Sequence, residues 1–333
     1  MEKSVSLHIV TYNSARHIRA CLESIARQTH RPEEVIVVDN ASEDDSAQLA
    51  DRAPFPVRLI RNEKNLGYSA AHNQAIRLSK SPLILILNPD VILEASFLSK
   101  MIDAAGLDKK IGTVCGKLFR LTDPGDAGPP QQNIIDSTGI FMTPNQRHLD
   151  RGGGELDRGQ YEEKEWVFGA SGAAPLYRRK MLEDIRIDQE YFDEDFFCYR
   201  EDADLSWRAQ LLGWRTLYTP EAIAYHARRV RPENRRQLPS ELNMHSVKNR
   251  FLLRLKNQTV GASFPFLVPM FFRDMQLLVY VLLLERSSLP GLVFPWKNFS
   301  HIMKKRKQIM ERRRISNREM IAWFRHRSFP FKG

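Results

Sequence analysis

Glu201, Asp202 and Asp204 place three carboxylates within four positions, directly after the aromatic-rich run Phe196-Phe197-Cys198-Tyr199. A carboxylate partly covered by rings and close to like charges has a raised pKa, so it is poised to take a proton from a hydroxyl group. A helix also welcomes acids in its first turn, and an apolar face through Leu205, Ala209 and Leu212 marks such a helix here. Three acids are more than capping requires. A second set lies earlier: Asp39 ends the run EVIVVD, and Asp90 follows Asn88-Pro89 after LILIL. A carboxylate at a strand end accepts hydrogen bonds from a base or ribose. One at a strand rim also holds Mg²⁺ or Mn²⁺ on a diphosphate, because these cations prefer oxygen ligands. Turn chemistry alone accounts equally well for Asp39-Asn40-Ala41-Ser42. His226, after the strand-like run Ala222–Tyr225, adds an imidazole able to ligate a cation.

These groups need elements that bring them together. Val5–Thr11, Glu34–Asp39, Val57–Arg61 and Leu83–Leu87 read as strands, with helical spacing over Ser14–Gln28 and Ser69–Ser79 between them. Continuous apolar strands separated by helices predict a parallel sheet buried on both faces. Such sheets bind ligands beyond the carboxyl ends of their strands, where Thr11-Tyr12-Asn13, Asp39 and Asn88-Pro89-Asp90 fall. Residues 122–165 turn Gly/Pro-rich around a strand-like piece at Ile134–Met142, and are expected to form a mobile lid over the sheet. Order is expected to return at Trp166–Arg179.

The chain has 333 residues, 42% of them hydrophobic and 27% charged, which excludes global disorder. Three scattered cysteines, Cys21, Cys115 and Cys198, exclude a disulfide scaffold and favour a reducing compartment. The amino end shows no apolar leader stretch, so a cytoplasmic location is expected. The net charge of +10 is uneven: residues 231–333 hold 21 Lys and Arg against 6 Asp and Glu, leaving residues 1–230 at −5. A mildly acidic body with a basic tail implies a polyanionic neighbour.

The ordered set VTYN (10–13), DNAS (39–42), NLGY (65–68), NPD (88–90), REDADLSWR (200–208) and His226 resembles family 2 of the inverting GT-A glycosyltransferases. It is most similar to the rhamnosyltransferase-like branch of bacterial polysaccharide assembly, over roughly residues 4–256 with KNRFLLRLKN (248–257) included. The resemblance implies an α/β fold, a Rossmann-like mixed sheet flanked by helices, over residues 1–230, and a metal-dependent hexosyltransferase. Thr11, Tyr12, Asn13, Asp39, Asn65, Gly67, Asn88 and Asp90 would then bind a nucleotide-sugar. Asp90 and His226 would hold a divalent cation (Mg²⁺ or Mn²⁺), and Asp202, with Glu201 as its rival, would deprotonate the acceptor. Asn88 departs from the family's usual Asp-x-Asp motif, which implies weaker cation binding or reliance on Asp90 and His226. The implied reaction moves a sugar, rhamnose from a dTDP donor, to a glycan or a polyprenyl-diphosphate-linked acceptor. A UDP-hexose or UDP-galactofuranose donor is the alternative within the family. A non-catalytic polyanion-binding protein is the alternative outside it.

The acceptor is expected to cross Trp166–Arg179, past Gly172 in FGASG and toward Arg178 and Arg179. Residues 231–333 are expected to form a helical membrane-association region. Within it, 301–318 interleave Ile302, Met303, Ile309, Met310 and Ile315 with basic residues, the pattern of an amphipathic helix on an anionic membrane. Residues 264–296 add apolar pieces broken by prolines. Removing 301–333 is expected to weaken membrane binding while leaving donor hydrolysis largely intact. The charge would also suit nucleic acid, but no recognised module or stacking platform is present, so nucleic acid is not an expected partner. The expected location is peripheral, on the inner face of the plasma membrane.

Overall fold

In the computed structural model, which describes residues 3–121, 133–228 and 239–332, the first half of the chain builds one sheet. Strands β1 (Val5–Thr11), β2 (Glu34–Asp39), β3 (Arg58–Arg61) and β4 (Leu83–Leu87) alternate with helices α1 (Ala15–Ala26), α2 (Ser46–Asp51) and α3 (Gly67–Leu78). These strands run parallel in the order β4-β1-β2-β3. All five residues of β4 are buried, as a strand covered by helices on both faces requires.

The next elements are β5 (Val91–Leu93), α4 (Phe97–Ala105), β6 (Ile111–Arg120), β7 (Ile135–Ser137), β8 (Ile140–Met142), β9 (His148–Asp150), β10 (Glu165–Val167), β11 (Leu176–Arg178), α5 (Arg179–Ile185), α6 (Glu201–Leu211) and β12 (Arg215–His226). β11 enters antiparallel between β4 and β6, and β12 runs parallel to β6. The sheet is therefore mixed, as expected. Of the expected lid, residues 122–132 lie outside the described residues. The remainder is pinned: Asp136, Ser137, Thr138 and Arg151 are buried, and the Arg151 guanidinium bonds Thr138 and pairs with Glu165. This part is a fixed cover, because it is also tied to the body: Asp136 pairs with His226, Gln146 donates to Ser263 and the Ile140 N–H donates to the Gly169 carbonyl.

After residue 239 come α7 (Ser240–Asn257), α8 (Val260–Ser263), α9 (Leu267–Leu284), α10 (Leu289–Lys297), α11 (Phe299–Glu311), α12 (Asn317–Arg325) and β13 (Ser328–Pro330). The expected boundary at 230 marks a change of composition, not two packing units. β13 pairs with β10 as the edge of the main sheet. Ile302, Ile309, Met320, Trp323 and Phe324 share a buried cluster with Phe168, Trp207 and Leu211.

The expected basic membrane helix at 301–318 is corrected. It divides into α11 and the start of α12, and most of its cations are used internally. Lys305 is buried against Glu190, Asp193 and Asp195. Arg306 donates to the Leu255 carbonyl, Arg312 to those of Asp184 and Arg186, and Arg313 to that of Ile315. Arg314 pairs with Asp184 at 2.7 Å. The amphipathic pattern was real, but its apolar side faces the core built by the rest of the chain.

Candidate active site

At the carboxyl end of β1, the Thr11 hydroxyl donates to Asp39 Oδ1 at 2.8 Å. The other Asp39 oxygen accepts the Ser42 N–H at 3.1 Å, and Ser42 Oγ accepts that of Asn13 at 3.0 Å. Asn13 and Ala41 both take left-handed backbone angles, φ 51° and 64°. Asp39 is thereby fixed as a rim acceptor, and Tyr12 stands half exposed beside it. Asn40, given no role from the sequence, ties three loops together. Its amide donates to Asn65 Oδ1 at 2.9 Å and to the Gly67 carbonyl, while its oxygen accepts from Leu66 N and Asn62. Gly67 has φ +82°, and a Cβ there would lie 2.7 Å from the Phe197 carbonyl. Gly67 thus lets the α3 start approach the loop before α6, a packing role that sets these two loops against each other.

Gly172 is the junction of the site. Its N–H donates to Asp202 Oδ2 at 3.0 Å, and its carbonyl accepts the Tyr68 hydroxyl at 2.8 Å. The next residue's carbonyl accepts the Asn88 N–H at 2.8 Å. Asp202, Tyr68 and the Asn88-Pro89-Asp90 turn therefore surround one short stretch of backbone. Asp202 Oδ1 also accepts the Ala203 N–H at 2.7 Å. Burial raises the Asp202 pKa and these N–H groups pull it back, while burial beside Asp202 raises Glu201 well above its ordinary range. Glu201 Oε2 has no hydrogen-bond partner among the described residues and its side chain is enclosed. Asp202 is the oriented, partly accessible carboxylate, and Glu201 the enclosed one.

α7 holds this helix start in position. One Asn249 amide donates to the carbonyls of Phe196, Cys198 and Tyr199 at 2.9, 2.7 and 2.8 Å. Lys248 donates to the Asp195 carbonyl, and Phe197 stacks on His245 at 4.8 Å. The loop needs this support because Phe197, Tyr199 and Arg200 all have positive φ (63°, 66° and 69°).

Asp90 meets His226 because β5 pairs with β12, setting Val91 opposite His226. His226 Nε2 lies 3.4 Å from Asp90 Oδ1, and Nδ1 lies 2.8 Å from Asp136 Oδ2. Burial lowers the His226 pKa, but the hydrogen bonds to Asp136 and Asp90 outweigh it and raise it to about 9. Both carboxylates stay below their ordinary range because the imidazolium outweighs their own burial. Asp136, 90 residues from His226, had no signal in the sequence. A carboxylate on the far nitrogen of a histidine fixes which nitrogen faces a cation, so this pair fits a divalent ion that displaces the imidazolium proton on Nε2. Among the described residues no three His, Cys, Asp or Glu side chains converge as a metal group. The protein would supply Asp90 and His226, and the diphosphate and water the other ligands.

Arg178 and Arg179 are not brought to the site. Arg178 pairs with Leu83, at the amino end of β4, the opposite end of that strand from Asn88. Its guanidinium donates to the Ile111 and Ala105 carbonyls, and that of Arg179 to the Ser81 and Ile76 carbonyls. The expected acceptor role for this pair is corrected: they tie down helix ends and a loop on the far side of the sheet.

A mixed sheet flanked by helices, with carboxylates gathered at its carboxyl rim, defines a protein of GT-A architecture. The chain belongs to glycosyl transferase family 2, whose model matches residues 6–186. It is 29% identical to the N-acetylglucosaminyl-diphospho-decaprenol L-rhamnosyltransferase of Mycobacterium tuberculosis, over 65% of this chain and 74% of that protein. Among solved structures, GalNAc-T7 with UDP, GalNAc and Mn²⁺ shares the fold at a TM-score of 0.58 and 14% identity, covering 76% of this chain and 48% of that one. This chain thus spans about half of that longer protein. The 1–349 portion of S. aureus TarS shares it at 0.52 and 18% identity, covering 97% of this chain and 89% of that one.

Proposed function

We propose that the protein is an inverting, metal-dependent rhamnosyltransferase, moving rhamnose from dTDP-rhamnose to a hydroxyl of a glycan carried on a polyprenyl diphosphate. The work would fall at the inner face of the plasma membrane, in cell-surface polysaccharide assembly. The mycobacterial relative, named for a rhamnose transfer to a diphospho-decaprenol acceptor, supports the donor and acceptor classes. The observation that carries the chemistry is Asp202, held by Gly172 N–H beside the Asn88–Asp90 turn.

In this reading Thr11, Asp39 and Asn65 hold the nucleotide, with Tyr12 beside the base. Asp202 accepts the acceptor hydroxyl proton as that oxygen attacks the anomeric carbon, and Gly172 keeps the carboxylate aimed. A divalent cation at Asp90 and His226 would neutralise charge on the departing diphosphate. Asp136 keeps His226 Nε2 turned toward Asp90.

Thermal shift across dTDP-, UDP- and GDP-sugars tests the donor. Ligand at 100 times its Kd stabilises the native state by about 2.7 kcal/mol, and dTDP-rhamnose is expected to give the largest rise. A rise with UDP-sugars alone would replace the donor. For the cation, Asp90→Ala is expected to lose the part of donor binding that Mn²⁺ adds, read by calorimetry with and without metal. Full turnover in excess chelator would overturn the metal role.

A further inference from the structure

The surface of α9 is arranged opposite to that of a helix facing water. Leu267, Val268, Phe271, Phe272, Met275, Val279, Leu282 and Leu283 are exposed, Phe272 at 63% and Leu283 at 68%. Their spacing of three and four residues puts them on one outward face. Its inward face carries the polar groups. Asp274 meets Arg250 at 3.0 Å and Arg254 at 2.7 Å, both on α7. At one end Ser263 accepts from Gln146 at 2.7 Å, and at the other Glu285 is buried against Ser288. Exposed apolar residues continue on α10 through Val293 and Trp296, at 80% exposure, and reach Phe299 at the start of α11.

We propose that α9 and α10 lie flat in one leaflet of an anionic phospholipid bilayer, with this stripe among the acyl chains. The segment Val260–Leu284 is long and apolar enough to cross a membrane. Its anchors decide against crossing. Ser263 and Asp274 are fastened to the body, and just past its end Gly291 lies so close to α7 that a Cβ there would meet the Met244 carbonyl at 2.7 Å; standing it upright would break these contacts. Charge selects the lipid. The only acids between residues 259 and 310 are Asp274 and Glu285, both turned inward, while Arg286, Lys297, Lys304 and Lys307 are exposed. Cations flanking an apolar stripe, with an exposed tryptophan at its end, suit a headgroup layer.

The position also serves the site. α7 binds α9 through Arg250 and Arg254, and the residue before Arg250, Asn249, holds the loop that leads into Asp202. The membrane face and the base are thus two sides of one helix. The bilayer proposal rests on the transferase reading only in this link to a lipid-borne acceptor.

The test uses vesicles of phosphatidylcholine with one-third phosphatidylglycerol and no acceptor, so its outcome is independent of which sugar is transferred. The full chain is expected to co-sediment, with Trp296 quenched by brominated acyl chains and binding weakened but retained at 0.5 M NaCl. The triple variant Val268→Asn, Phe272→Asn and Leu283→Asn should lose about 100-fold or more in partitioning while keeping its melting temperature and donor hydrolysis. The proposal fails if the wild type ignores vesicles, or if salt abolishes binding and the triple variant binds normally. It also fails if sedimentation shows a dimer that the triple variant loses without any vesicle binding, since a second copy would then cover the stripe.

Discussion

Asp202→Asn is expected to keep the fold and donor affinity and to lower kcat by about 10²–10⁴, the usual contribution of a positioned proton acceptor. The Gly172 and Ala203 N–H groups reach different oxygens of Asp202, so the amide oxygen keeps one of these bonds and its NH2 gives up the other, and the side chain no longer takes up a proton. Burial raises the Asp202 pKa, so the acid limb of kcat/KM should lie above the ordinary carboxylate range. Activity falls as pH drops and the base is protonated, and that limb disappears in the variant. Glu201→Gln is the control. Glu201 is enclosed and held toward its neutral form by burial beside Asp202, so its amide should retain most turnover. Normal turnover in Asp202→Asn, with collapse in Glu201→Gln, would transfer the role.

The second large effect is on stability. Asp193, fully buried, pairs with both Lys256 and Lys305, and Asp204 stands 3.5 Å from Lys256 while pairing with Arg208 at 2.8 Å. Asp193→Ala leaves one buried ammonium with Asp204 as its remaining close acid, and should cost about 3–5 kcal/mol. Urea unfolding with an unchanged m-value would show it as a shifted midpoint. A loss below 1 kcal/mol would mean that the lysines find other partners. The same network argues against the expectation that donor hydrolysis survives removal of 301–333. The deletion takes Lys305, Trp323, Phe324 and the β13 edge together, and what remains should not fold to an active enzyme.

What the sequence disclosed follows from the range of the forces involved. β1, β2 and β4 match their expected limits to the residue, because burial on both faces writes apolar runs into the chain, broken in β1 only by Ser6 and His8, which bond each other. Asp39, Asp90 and Asp202 were legible because their neighbours stop a strand or open a helix. Asp136 and Asn249 were not, since each acts on a partner about 50 to 90 residues away and neither sits in a spacing that chemistry requires. The basic helix misled for a related reason. Interleaved apolar and cationic residues describe an amphipathic helix equally well whether its apolar side meets lipid or protein. Arg178 and Arg179 were placed by adjacency in the chain to Gly172, but an extended strand carries residues a few positions apart to opposite ends of the sheet.

The left-handed residues Phe197, Tyr199 and Arg200 set a limit on how this enzyme can be engineered. Each non-glycine residue held in that region costs about 1–3 kcal/mol, so glycine substitutions there offer the designer an apparent gain in thermostability. Glycine would also release the loop from its single conformation, and with it the direction in which α6 starts. Heat-resistant variants selected at these three positions should be the ones that have lost turnover, and selection for turnover should restore the bulky residues.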